Sequence, residues 1–150
     1  MEPLKFIALD KEDLEVVSTH LQDATVKVSD VHWRPQEKRL VLALDRFDWV
    51  AASAADPDFR RCRSALRFER VTACKCKHVN PAGKEDVYNL LAVEFEETDR
   101  PGGVVTLFFA GGAVLRLEVE CLEAELVDLG PVWAAAARPA HIDEATEAQA

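Results

Sequence analysis

The sequence is short of positive charge: 18 lysines and arginines stand against 27 aspartates and glutamates, a formal net charge of −9. Affinity for phosphate backbones comes from clustered Lys and Arg, so general nucleic-acid binding is disfavoured. Long apolar runs are missing as well. The most apolar stretch, 104–115, is interrupted by Gly111-Gly112 and is too short to span a bilayer. Met1-Glu2-Pro3-Leu4-Lys5 lacks the basic region and apolar core of a secretory signal. The expectation is a cytoplasmic protein with no membrane partner. There is no Gly-x-Ser-x-Gly elbow, no P-loop, and no Gly-x-Gly-x-x-Gly after a strand, so the common signatures of nucleophilic and nucleotide chemistry are absent. The four cysteines, Cys62, Cys74, Cys76 and Cys121, are expected as free thiols, because an even count argues for disulfides only in a secreted chain.

What is present describes one folded domain. Among 150 residues, 49% are apolar and 30% charged, which excludes disorder and low complexity for most of the chain. A chain of this length buries enough surface to fold without metal or disulfide. Leu4 to Leu9 reads as a short strand. Asp10 then caps a helix, with Asp13 in a box-like position and Leu9 and Leu14 placed as a hydrophobic staple. Leu14, Val17, Leu21 and Ala24 give that helix one apolar face.

The period then changes to two. Val26 and Val28, then Val31 and Trp33, alternate with polar residues, and Pro35 marks a turn. Leu40 to Leu44 is continuous and apolar, as in a strand covered on both faces. Residues 51–58 read as a loop. Residues 61–78 are extended, with Leu66, Phe68 and Val71 as core positions and a bulge at Glu69-Arg70. Another strand covers 87–97, with Leu91, Val93 and Phe95 inward. Strands 104–109 and 113–119 flank Gly111-Gly112, whose tolerance of positive φ makes this the clearest hairpin. Val119, Leu122, Leu126 and Leu129 return to helical spacing, with Gly130-Pro131 as the stop. The expected fold is α+β: an antiparallel curved sheet or partly closed barrel with an N-terminal and a C-terminal helix, the layout of pleckstrin-homology-like barrels. The folded domain is expected over 1–133 and a disordered acidic tail over 134–150.

Four segments carry a resemblance. They are LKFIALDKEDLEVVSTHLQDA, RLVLALDRFDW, RCRSALRFERV and VTLFFAGGAVLRLEVECLEAELVDLGPVWAAAARPAH, which together cover most of residues 4–141. In these the chain resembles a DUF2948-like family of uncharacterised alphaproteobacterial proteins. The resemblance implies a bacterial protein and carries over no activity and no catalytic residue.

Charge is the most informative local feature. From Phe59 to His78, seven bases accompany the single acid Glu69, a segment of +6 in a chain of −9. Arg61, Arg63 and Arg67 share one face of an extended strand. Guanidinium groups in a row suit bidentate capture of carboxylate or phosphate. They equally suit cross-strand pairing with acids such as Glu94, Glu96 and Glu118. Cys74, Cys76 and His78 alternate onto one face and carry zinc-type donors, but the spacing is wrong and no second pair exists. Buried thiols ending in an exposed histidine are the plainer reading, so no metal and no cofactor are expected. Asp45, Asp48 and Trp49 form a polar–aromatic strand end beside a loop, where a pocket could support catalysis. His20 and His32 are isolated candidates for a general base. The leading expectation is a non-enzymatic binding or interaction module. It would engage an anionic ligand or an acidic protein surface through Arg61, Arg63 and Arg67, as a monomer or homodimer. The alternative is a small enzyme with its pocket near Asp45, Asp48 and Trp49.

Overall fold

The computed structural model describes residues 3–139. β1 (Lys5–Ala8) leads into α1 (Lys11–Leu21), followed by β2 (Ala24–Lys27), β3 (Val31–Arg34) and β4 (Arg39–Phe47). A single helical turn, α2 (Trp49–Ala52), precedes β5 (Arg60–Phe68) and β6 (Val71–Lys77). β7 (Val87–Asp99), β8 (Gly102–Phe109), β9 (Val114–Val119) and β10 (Ala124–Ala134) complete the chain order. These ten strands form one sheet in the order β1-β10-β5-β4-β2-β7-β8-β9-β6, with β3 also on β4. Every pairing is antiparallel, and the path from β1 to β6 does not close. The antiparallel α+β class matches the sequence reading. No helix among the described residues is long and apolar enough to cross a membrane.

The sheet has two halves joined at two places. At the first, β2 pairs with β7 along residues 24–27 and with β4 through Thr25 and Asp45. At the second, the chain itself passes from one half to the other. β5 continues into β6, β9 continues into β10, and the ladder persists through the bend. Glu69 N–H donates to Glu123 O at 2.9 Å and Glu120 N–H to Arg70 O at 2.9 Å. Arg70 takes φ +60°, and both Phe68 and Val71 stay buried on either side of it. This is the bulge expected at Glu69-Arg70.

α1 begins as its sequence implies. Asp13 N–H donates to Asp10 Oδ1 at 2.8 Å, and Leu9 N–H donates to Asp13 Oδ2 at 3.1 Å. Leu14, Val17 and Leu21 are buried, but Leu9 is 61% exposed, so the staple does not form a buried pair. Gly111 and Gly112, both at φ +79°, turn β8 into β9 as expected.

Four expectations change. Leu40, Leu42 and Leu44 are buried, while Val41 and Ala43 between them are only half-buried, so β4 is covered on one face. In β7 a register shift between Leu90 and Ala92 makes Leu90, not Leu91, the inward residue. The C-terminal helix is absent: its place is taken by β10, paired on both sides. Leu122, Ala124 and Leu126 are buried in strict alternation, a period that the same residues support as well as a helical one. Pairing with the basic β5 decides between the two, because tertiary partners override local propensity. Gly130, at φ +74°, sits in a register shift between Asp128 and Val132 and ends no helix. Without that helix, the layout shared with pleckstrin-homology-like barrels is lost. Of the tail expected over 134–150, the described part is attached: Ala135 N–H donates to Phe59 O at 2.8 Å and Arg138 to Ala52 O at 3.1 Å. The remainder of that expectation lies outside the described residues.

Candidate functional site

β5 alternates Cys62, Ser64, Leu66 and Phe68 inward with Arg61, Arg63, Ala65 and Arg67 outward. The three arginines therefore do share a face, and each is already engaged. Arg61 donates through Nη1 to Asp23 O at 3.2 Å and Asp45 O at 3.0 Å, with its guanidinium 5.8 Å from the Phe47 ring centre. Burial lowers its pKa from the ordinary value. Arg63 holds Asp30 at 2.8 Å and Asp45 at 3.2 Å, and the bond to Asp30 is the main reason its pKa is raised. Arg67 holds Glu69 at 3.1 Å and Glu125 at 3.2 Å, and Arg39 shares Glu69 at 2.8 Å. The partners come from the neighbours of β5 and from adjoining turns. Glu94, Glu96 and Glu118 belong to the other half of the sheet.

Between Arg63 and Arg67 the outward surface is made of small apolar side chains. Val127, Ala65 and Ala43 lie side by side across β10, β5 and β4. Val41 lies opposite Arg67, and Ile7 on β1 lies opposite Glu125 and is 54% exposed. Around this centre, Lys5, Arg39, Arg63 and Arg67 balance Asp30, Asp45, Glu69 and Glu125.

The inner side of the same strands carries a buried polar network. Arg46 donates through Nε and Nη2 to the two oxygens of Asp128, both at 2.7 Å. Ser64 Oγ donates to Asp128 Oδ1 at 2.7 Å and Leu4 N–H to Oδ2 at 2.8 Å. Burial pushes the Asp128 carboxyl up, but the bonds from Arg46, Leu4 and Ser64 outweigh it and hold the pKa at about 2. Beside this network is a cleft of about 400 Å³ lined by His20, Arg46, Asp48 and Arg60, with Leu4 and Val50 as apolar walls. Burial is the largest cause lowering the His20 pKa, with Arg46 next. Asp48 accepts from Ala51 N–H at 3.0 Å, capping α2, and from Arg60 Nη2 at 3.3 Å.

Of the set Asp45, Asp48 and Trp49, only Asp48 lines this cleft. Asp45 is held on the outer face by Arg63. Trp49 donates through Nε1 to Gln22 O at 2.7 Å and packs edge-on against Phe47 at 4.7 Å. The sequence reading missed Arg46, Arg60 and Asp128. The signal was phase: Arg46 follows Leu40, Leu42 and Leu44 at even spacing, so its charge points inward and requires a buried partner.

Cys74 and Cys76 face Leu117 and Leu115 across β6 and β9. Strand β6 ends at Lys77, and His78 turns to φ +59°, which takes it out of the alternation. Burial pushes the Cys74 thiol up to about 11. Among the described residues no group of three His, Cys, Asp or Glu is placed to hold a metal ion. The four cysteines are free thiols.

No curated protein and no solved structure matches this chain. A family model does. It spans residues 4–141, a stretch that begins at the Leu4 amide bonded to Asp128 and takes in the arginine face, the cleft and all ten strands. Its description is a protein of unknown function, DUF2948, and the chain belongs to that family.

Proposed function

We propose that the protein is a non-enzymatic interaction module that docks a protein partner on the outer face of β10, β5 and β4, between Arg63 and Arg67. The observation that supports this most directly is the row Val127, Ala65 and Ala43. On a sheet face turned to solvent, alternation calls for polar residues at these positions. Small apolar side chains make the face flat, and the surrounding ion pairs give it a polar rim, which is the anatomy of a docking surface. Arg63 and Arg67 remain 30% and 41% exposed, so a partner can reach their forks. The balanced charge of this face matters in a chain of −9, because an acidic partner meets less repulsion here than elsewhere.

The test is site-specific photo-crosslinking in the native cell. A photoreactive residue replacing Ala65 should yield one discrete adduct, lost in Arg63→Glu/Arg67→Glu, while the same residue replacing Glu94 on the other half should yield none. No adduct from Ala65, or equal adducts from both positions, would overturn the reading.

One observation favours a second reading. The cleft brings His20, Arg46, Asp48 and Arg60 together from three separate segments, which suits a small anion held by guanidinium groups or a small enzyme site. Titration with small carboxylates and inorganic phosphate, followed by the His20 imidazole resonances, tests it. Movement of those resonances supports the cleft as a site, and invariance removes it.

A further inference from the structure

The inward positions of the sheet are not covered equally. Leu14, Val17 and Leu21 of α1 are buried in the core, but α1 contributes nothing to the region around Val26, Leu115 and Cys76. A cavity of about 160 Å³ opens there. Its walls are apolar: Val26, Val31, Tyr88, Phe109 and Leu115 line it from five strands, and Val28 adds the turn before β3. The segment 78–86 crosses its mouth and adds Val79 and Lys84. That segment is tied down by Val28 N–H to Asp86 O and Ser29 N–H to Lys84 O, both at 3.0 Å.

Size and charge define what fits. An apolar space of this volume admits a body the size of a benzene ring. The lining holds one cation, Lys84, and no acid, in a chain with 27 acidic residues. The Lys84 side chain has no ion-pair partner among the described residues. We infer that this mouth is a binding site for a small aromatic or branched aliphatic carboxylate. Its apolar body lies among Val26, Val31, Phe109 and Leu115, and its carboxylate lies at Lys84. The site is separate from the outer face of β5 and does not depend on it.

Cys76 lines the same cavity and is exposed, so the protein carries its own reporter. The experiment follows alkylation of Cys76 by iodoacetamide, with the modified site located by mass spectrometry. Benzoate, phenylacetate and isovalerate are the probes, and toluene is the neutral control. At a probe concentration about ten times its Kd, mass action slows Cys76 alkylation roughly tenfold, while Cys121 is unaffected. Val79→Trp, placed in the covering segment rather than in a strand, fills the cavity and abolishes protection. Lys84→Gln keeps protection by toluene and loses the advantage of the carboxylates. Circular dichroism establishes that both variants are folded. The inference is overturned if no probe slows Cys76, if Val79→Trp is protected as well as the parent, or if Lys84→Gln leaves the carboxylates as effective as before.

Discussion

Arg46 and Asp128, 82 residues apart, are joined by two parallel hydrogen bonds of 2.7 Å inside the sheet. Their side chains are 4% and 3% exposed. Taking two charges out of water is costly, and fork-to-fork geometry with every oxygen satisfied is what offsets it. Ser64 and the Leu4 amide complete that satisfaction, so the pair ties β4, β5 and β10 to the start of the chain.

Removing one partner leaves a buried charge alone. Arg46→Met or Asp128→Leu should each cost about 3–5 kcal/mol in urea unfolding. The double variant should recover much of that loss, because no charge is then left without its partner. A double variant as unstable as the sum of the singles would show that the two residues do not act as a pair.

The pair also sets an acid limit. Asp128 is held at about 2, below its ordinary 3.8, so the folded state binds fewer protons than the unfolded state. Its contribution is complete above about pH 5 and is lost as the pH falls through 3.8 towards 2, on the order of 2 kcal/mol in all. His20 acts earlier. Its pKa is held below 6.5, chiefly by burial, so protonating it opposes folding as the pH drops under 6.5. Urea midpoints across this range should lose the lower step in Asp128→Asn and the upper step in His20→Gln.

Arg67→Glu would place a third carboxylate between Glu69 and Glu125. The site is 41% exposed and screened, so the expected cost is about 1 kcal/mol, larger at low salt. Thermal melts at two ionic strengths read it, and the exchange Arg67→Glu/Glu125→Lys should recover part of the loss. An unchanged melting temperature at both ionic strengths would show that these ion pairs do not stabilise the sheet.

Two glycines should differ in a definite order. A methyl group on Gly103 would collide with the Glu96 carbonyl and the Phe95 ring, whereas one on Gly112 would meet nothing within 4 Å. Gly103→Ala is expected to cost about 2–4 kcal/mol through overpacking. Gly112→Ala pays only for its φ of +79°, about 1 kcal/mol. The reverse order in denaturant titrations would contradict the close approach of β7 and β8.

The four thiols should react in sequence with a disulfide reagent. Cys76, exposed, goes first. Cys62, buried, and Cys74, pushed to about 11, go last. Early reaction of Cys62 in the native protein would contradict its burial.

The features legible in the sequence were local ones. Asp10 and Asp13 announced α1, Gly111-Gly112 announced a turn, and the break in alternation at Glu69-Arg70 announced a bend. Residues 119–129 were ambiguous because Leu122 and Leu126 serve periods of two and 3.6 equally. Their partners β1 and β5, both far earlier in the chain, resolve them, β5 by setting Arg67 opposite Glu125. The arginines could be placed on one face but not partnered, since register is a tertiary property. The same holds for the buried network beside the cleft. Arg46, Ser64 and Asp128 each occupy an inward phase on a different strand, and nothing within any one strand says that the three meet.

The bend at Glu69-Arg70 has a consequence for how the molecule comes apart. One continuous ladder, from β5 to β6 against β9 to β10, belongs to both halves. Neither half is a module that could be excised, swapped or opened by itself, because any cut between them severs shared backbone pairing. Unfolding of these ten strands is therefore expected as a single cooperative event, with a lesion in either half felt throughout the sheet.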